Sequence, residues 1–231
     1  MDDLIKLVAE MQAEAKAHAA ECTEATCVRC DRRPCAECGA RVDYEARLCA
    51  KCSVAAEREA AELAWSRIVP KAHTGASFGA RWLRELVGAT AIAKLANAAE
   101  RVTLLGPAGT GKTSLAVALL RPYQDAGERV VFAQAHQLAK ARSLHRLGDG
   151  EAPAIAAALS AGVLVLDELG GELPQYSPVL AEVIHARHAE CARTVVTSGL
   201  SLEAIGSRYG GGIQRRLAEG ATVLTLRRGD Q

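Results

Sequence analysis

Aromatic residues are scarce: two Trp, four Tyr and two Phe make up 3% of the 231 residues. Stacking of bases on aromatic rings is therefore not expected to be the main grip on single-stranded nucleic acid. An excess of one charge is lacking too, with 28 Lys and Arg against 27 Asp and Glu for a net charge of +1. Any nucleic-acid contact must then be local. No uninterrupted apolar run is long enough to span a bilayer, and the acidic, amphipathic first residues do not read as a secretory leader. A cytoplasmic protein without membrane contact is expected. Beyond residue 52 cysteine is nearly absent, Cys191 being the one exception, expected as a buried small side chain. What remains is 49% hydrophobic, enough for one medium-sized core and a small appendage.

The centre of the chain is Gly106-Pro107-Ala108-Gly109-Thr110-Gly111-Lys112-Thr113, a complete G-x-x-x-x-G-K-T loop. Arg101 to Leu105 reads as a buried strand before it and Ser114 to Leu120 as a helix after it. Glycines let the backbone turn its N–H groups onto an anion, and the helix start adds its own free N–H groups and positive dipole end. Lys112 is placed to reach the β- and γ-phosphates, and the Thr113 hydroxyl to complete a Mg²⁺ shell. Gly106, Gly109, Thr110, Gly111, Lys112, Thr113 and Ser114 are the candidate residues for binding a nucleoside triphosphate.

Downstream, Gly162-Val-Leu-Val-Leu-Asp167-Glu168 is a continuous apolar run ending in two carboxylates. Such a run fits a central parallel strand buried on both faces, and ligands of open α/β sheets bind at the carboxyl ends of strands. Asp167 would hold Mg²⁺ together with Thr113, and Glu168 would orient and deprotonate an attacking water. A following glutamate points to hydrolysis rather than transfer to a substrate hydroxyl. Arg193 to Ser198 reads as a further strand, whose tip residues Thr197 and Ser198 are expected beside the γ-phosphate. Near the end, Arg216 offers a fork suited to phosphate. Nothing large enough for a lid is expected after the closing strand Thr222 to Leu226, so Arg216 would complete a neighbouring subunit's site in trans. The alternative is that Arg215 and Arg216 form a basic surface patch.

Seven of the eight cysteines fall between Cys22 and Cys52. Cys35-x-x-Cys38, followed after ten residues by Cys49-x-x-Cys52, has the spacing of a zinc ribbon. In a reducing compartment that pattern means Zn²⁺, not disulfides. A tetrahedral shell substitutes for a core in a segment too short to build one. His18, Cys22, Cys27 and Cys30 could close a second zinc site, or the three C-x-x-C pairs divide differently. Helices are expected over Asp3 to Ala20, Ser53 to Ile68 and Trp82 to Ala99, the last either lining a base pocket or simply packing. His185 and His188, three apart, are expected on a solvated or packed helix face. Residues 1–69 are read as the helix and zinc module and 70–231 as the nucleotide-binding domain.

In order, GPAGTGKTSLA, LVLDELG, IHARHAE, TVVTSGLS and GIQRRL resemble the AAA+ ATPases of the bacterial DnaC/DnaI helicase loaders and the IstB transposition helpers, over roughly 70–226. The resemblance implies an α/β P-loop NTPase core with a parallel sheet and no C-terminal lid, preceded by the zinc-binding domain. It implies an ATPase that forms a homo-oligomer in its ATP state, docks on a replicative hexameric helicase through its N-terminal module and assists its placement on single-stranded DNA. Lys112, Asp167 and Glu168 carry over as catalytic residues and Arg216 as the arginine-finger candidate. The family usually has Asn where this chain has Gly199, so Ser198 takes the sensor role or γ-phosphate sensing weakens and hydrolysis is slow. An IstB-like helper of a transposase is the alternative. From another class, the chain would be a zinc-ribbon DNA-binding regulator with a vestigial ATP site.

Overall fold

The computed structural model describes residues 32–227 apart from 44, 99 and 147. The helix expected over Asp3 to Ala20 and the candidate ligands His18, Cys22, Cys27 and Cys30 lie outside the described residues. The chain divides into two compact units, Met1–Leu63 and Ala64–Gln231.

In the first unit, strands β1 (Arg32–Pro34) and β2 (Arg41–Asp43) pair antiparallel. The turn between them is held by the Cys35 N–H on the Ala40 carbonyl (2.7 Å) and the Gly39 N–H on the Cys35 carbonyl (3.0 Å). Gly39 adopts φ 72 there, a left-handed value that favours glycine. A helix, Ala50–Ile68, follows. Among the described residues of this unit only Cys35 is a buried hydrophobic. So little apolar burial calls for a staple of another kind.

In the second unit the helix's last turn takes part in the core: Trp65 is 1% exposed and donates its indole N–H to the Thr74 carbonyl (2.9 Å). The division therefore falls inside the helix, short of the Pro70 boundary expected from sequence. The run read as one helix from Trp82 is two, Arg81–Val87 and Ala89–Ala96. Gly88, at φ 81, ends the first and opens the second. Apolar spacing carries on across the break, which is why periodicity alone misses it.

Five parallel strands form the sheet in the order β4 (Val130–Gln134), β5 (Val163–Leu169), β6 (Arg193–Ser198), β3 (Arg101–Leu105), β7 (Thr222–Thr225). Side chains alternate across the strands and feed two cores. Val102, Leu104, Val163, Val165 and Val195 join the helix Lys112–Asp125 on one face. Leu105, Leu164, Leu166 and Val196 join the helices Ala135–Leu144, Pro153–Ser160 and Ser177–Ala189 on the other. Helices on both faces explain why β5 is continuously apolar from Val163 to Leu166 rather than alternating. The pair Leu202–Tyr209 and Gly211–Ala218 completes the second layer, with Ile205, Ile213 and Leu217 buried. Because β6 lies between β3 and β5, the ends of all three open on one rim, where a ligand site of such a sheet forms.

Candidate functional site

The phosphate loop leaves β3 through Gly106, whose φ of 135 is outside the reach of most side chains. A Cβ at that position would collide with the Leu226 carbonyl just past β7. At Gly111 (φ 88) a Cβ would stand 2.7 Å from Val87 Cγ1 and 3.0 Å from Leu86 Cδ2. These two glycines are required by close approach as much as by dihedral angle. Helix Lys112–Asp125 begins within the loop, two residues ahead of the start expected at Ser114. Its free N–H groups therefore face the loop's interior.

Within the loop the Thr110 hydroxyl and the Lys112 ammonium both donate to the Pro107 carbonyl (2.9 and 2.7 Å). Burial holds Lys112 below the usual lysine range, against the opposing pull of Asp167 and Glu168. Thr113 Oγ1 donates to Asp167 (3.0 Å to Oδ1), and Thr197 Oγ1 donates to the same oxygen at 2.7 Å. Asp167 is 3% exposed and Thr197 fully buried. The Glu168 N–H donates to Thr197 Oγ1 (2.9 Å). Glu168 itself is exposed and stands at φ 61, a left-handed conformation uncommon outside glycine. It coincides with a break in register between β5 and β6, which lies between Leu166 and Leu169. An open cavity of about 540 Å³ is lined by His73, Leu86, Lys112, Thr113, Glu168 and Gly199, among others.

The structure thus brings Lys112, Thr113 and Glu168 to one cavity, with buried Asp167 bonded to Thr113 behind its wall. Ser198 is placed otherwise: fully buried, it donates to the Leu169 carbonyl (2.6 Å) and accepts from the Leu200 N–H (3.1 Å). Thr197, one residue earlier and on the opposite face of the strand, is the hydroxyl that meets Asp167. Arg216 does not reach this cavity; it donates to Gly212 O (2.9 Å) and lines a small cleft with Arg101 and His188 at the sheet's far end. Arg215 pairs with Glu219 at the surface. Ser114, buried, lies 3.0 Å from His73 Nδ1 through its hydroxyl. His73 had no motif to mark it. Cys191 corrects an expectation: it is exposed, at φ 51, in the turn before β6. The helix Ser177–Ala189 ends just before it, and a left-handed residue at such an end faces solvent.

In the first unit the Sγ atoms of Cys35, Cys38, Cys49 and Cys52 all lie within 4.8 Å of one another. Cys38 and Cys49 are 3.7 Å apart, close to the ~3.8 Å edge of a tetrahedron with Zn–S bonds of ~2.3 Å. The Cys49 N–H points at Cys35 Sγ (3.3 Å) and the Cys52 N–H at Cys49 Sγ (3.5 Å). Backbone N–H groups of Cys38, Cys49 and Glu37 draw the Cys35 thiol down to about 6. The neighbouring sulfurs, Cys38 first, push Cys52 up to about 12. Four sulfurs this close are a donor set that fits zinc, which would hold all four as thiolates.

A family model of IstB-like ATP-binding proteins matches residues 45–216. Among solved structures, the crystal structure of the DnaC helicase loader aligns with a TM-score of 0.55 at 24% identity, covering 68% of this chain and 99% of that one. AMPPCP-bound DnaA from Aquifex aeolicus aligns with a TM-score of 0.52 at 19% identity, over 69% of this chain and 51% of that one. This chain therefore spans about half of the DnaA chain. Likeness at such identities concerns the fold. No curated protein sequence matches significantly. No helix among the described residues is long and apolar enough to cross a membrane.

Proposed function

We propose, from the premise that the chain belongs to the IstB-like ATP-binding protein family and is an AAA+ ATPase related to helicase loaders, that it is an ATP-dependent loader of a replicative hexameric helicase. The observation that supports this most is the convergence of Thr113 and Thr197 on buried Asp167 beneath the phosphate loop. That is an arrangement built to answer a triphosphate.

Each residue then has a task. Lys112 leaves the Pro107 carbonyl for the β- and γ-phosphate oxygens. Mg²⁺, held by Thr113 and Asp167, would neutralise charge developing on the phosphates. Glu168 takes a proton from the water that attacks the γ-phosphorus as the bond to the β–γ bridging oxygen breaks. Thr197, rather than Ser198, links the γ-phosphate end of the cavity to Asp167. Arg216, remote from its own cavity, serves a neighbouring copy in the ATP state. Zinc in the Cys35, Cys38, Cys49 and Cys52 set holds the small first unit in shape for docking on the helicase, while single-stranded DNA is met by local basic groups. The docking module is read as residues 1–69, a few residues beyond the division between the two compact units.

Tagged protein with ATP and Mg²⁺ is expected to retain its cell's hexameric helicase, and Cys35→Ser is expected to release it. Recovery of a transposase, with ATP-dependent filaments on duplex DNA in electron micrographs, would replace this reading by the IstB-like one, which the matching family model favours. Metal analysis is expected to give at least about one zinc per chain, as a closed Cys₄ shell requires. Cys35→Ser is expected to lose that zinc while nucleotide affinity stays within about twofold, since the two sites lie in separate units.

A further inference from the structure

Beyond the cavity lies a buried polar cluster that no motif marks. Glu172 closes the turn after Glu168, and its carboxylate has no exposure. Its Oε2 accepts from the Gly170 N–H (3.1 Å). Its Oε1 accepts from the Ser177 hydroxyl (2.7 Å), the Tyr209 hydroxyl (2.5 Å), and Nη2 (3.0 Å) and Nε (3.2 Å) of Arg208. Arg208 Nη2 also donates to the Glu172 carbonyl. Burial works against the charge of Glu172, but the Tyr209 and Ser177 hydroxyls and Arg208 more than offset it and hold the carboxyl below its usual range.

The cluster acts on a segment that needs holding. Glu168 is left-handed, and such a residue persists only where its surroundings over-determine it. On one side Thr197 holds the Glu168 N–H; on the other the Gly171 N–H holds the Glu168 carbonyl (3.0 Å). Gly170 (φ 100) lies so close to Leu200 that a Cβ would stand 2.6 Å from Leu200 Cδ1. Glu172 fixes the far end of this turn to the end of helix Leu202–Tyr209. Gly170 and Gly171 line the nucleotide cavity, whereas no hydrogen bond of Glu172 or Arg208 reaches the phosphate loop. We infer that Glu172 and Arg208, with Tyr209, are positioning residues for hydrolysis: they clamp the turn that aims the Glu168 carboxylate at the attacking water. This rests on the proposed role of Glu168 as general base.

The test is ATP turnover, affinity for a fluorescent ATP analogue and thermal midpoint, for Glu172→Gln, Arg208→Met, Arg208→Lys, Tyr209→Phe and Glu168→Gln. Glu172→Gln and Arg208→Met are expected to lower kcat by about tenfold or more, as loss of alignment of reacting groups does. Nucleotide Kd is expected to stay within about twofold, because the interaction lost is made in the transition state. Arg208→Lys, keeping the charge without the fork, is expected to recover part of kcat. Tyr209→Phe keeps the ring and the fold and is expected to lower kcat about threefold. Unchanged kcat in folded Glu172→Gln and Tyr209→Phe overturns the inference, as does a parallel loss of kcat, affinity and midpoint that Arg208→Lys does not relieve. If Glu168→Gln is inactive while Glu172→Gln is normal, the clamp alone fails. If Glu168→Gln turns over like the wild type, the base assignment fails and the clamp with it.

Discussion

Glu168→Gln is expected to slow ATP turnover by about a hundredfold or more, the share that a positioned general base supplies, while nucleotide binding stays within about twofold. The amide has the shape of the carboxylate and cannot take a proton from water. The groups proposed to meet the phosphates are Lys112, Thr113 and the loop's N–H groups, and the bonds of Lys112 and Thr113 run to Pro107 and Asp167 rather than to Glu168. Asp167 keeps both its hydroxyl partners, so the side of the site proposed for Mg²⁺ is untouched. Glutamine tolerates the left-handed backbone about as well as glutamate does. Phosphate release under saturating ATP, set beside analogue binding, checks the split. Turnover within about threefold of the wild type would take Glu168 out of the base's role.

The second large effect concerns stability. Arg187 is 1% exposed, and each of its acceptors is neutral. It donates to the Thr194 hydroxyl (3.0 Å) and to the carbonyls of Ala158 (2.9 Å), Leu159 (3.2 Å), Ala161 (2.9 Å) and Arg193 (2.6 Å). Burial draws it down to about 10, still well above neutral pH, so it remains a cation. The carbonyls at the end of helix Pro153–Ser160 carry the negative end of that helix's dipole, which suits a cation. Arg187 thus ties that helix end and the start of β6 to helix Ser177–Ala189. Arg187→Met fills much of the volume but leaves these carbonyls without donors. At about 1–3 kcal/mol per stranded buried group, partly relieved by relaxation, a loss of about 4 kcal/mol is expected. Urea unfolding with an unchanged slope measures it. Arg187→Lys is expected to recover only part, since an ammonium cannot fork across two structural elements. A loss below about 1 kcal/mol would show that water reaches these carbonyls.

Much of the candidate site's geometry can be read from the chain because it is set locally. A loop that must wrap an anion needs glycines at fixed offsets, and a strand covered on both faces needs an unbroken apolar run, as Val163 to Leu166 of β5 provides. Cysteine spacing likewise brings four sulfurs together because two short knuckles have few other ways to fold. What stayed hidden depends on register. Whether Thr197 or Ser198 meets Asp167 follows from which face of β6 each occupies and from the irregularity between Leu166 and Leu169. Residue type does not separate two adjacent hydroxyls. Glu172 was invisible because its partners Arg208 and Tyr209 stand 36 and 37 residues away. Arg187 sits in a run of charged and histidine side chains that looks solvated, and only the packing of three elements around it buries it. Gly88 interrupts a helical pattern without disturbing its spacing, so its φ had to be seen.

The left-handed backbone at Glu168 also narrows how this position can drift. One base change in a glutamate codon yields lysine, glutamine, aspartate, glycine, alanine or valine. Glycine would relax the backbone, and aspartate accepts this conformation more readily than most residues. Valine, branched at Cβ, fits it worst. Descendants of this chain that keep the fold are therefore channelled toward a few substitutions at this position.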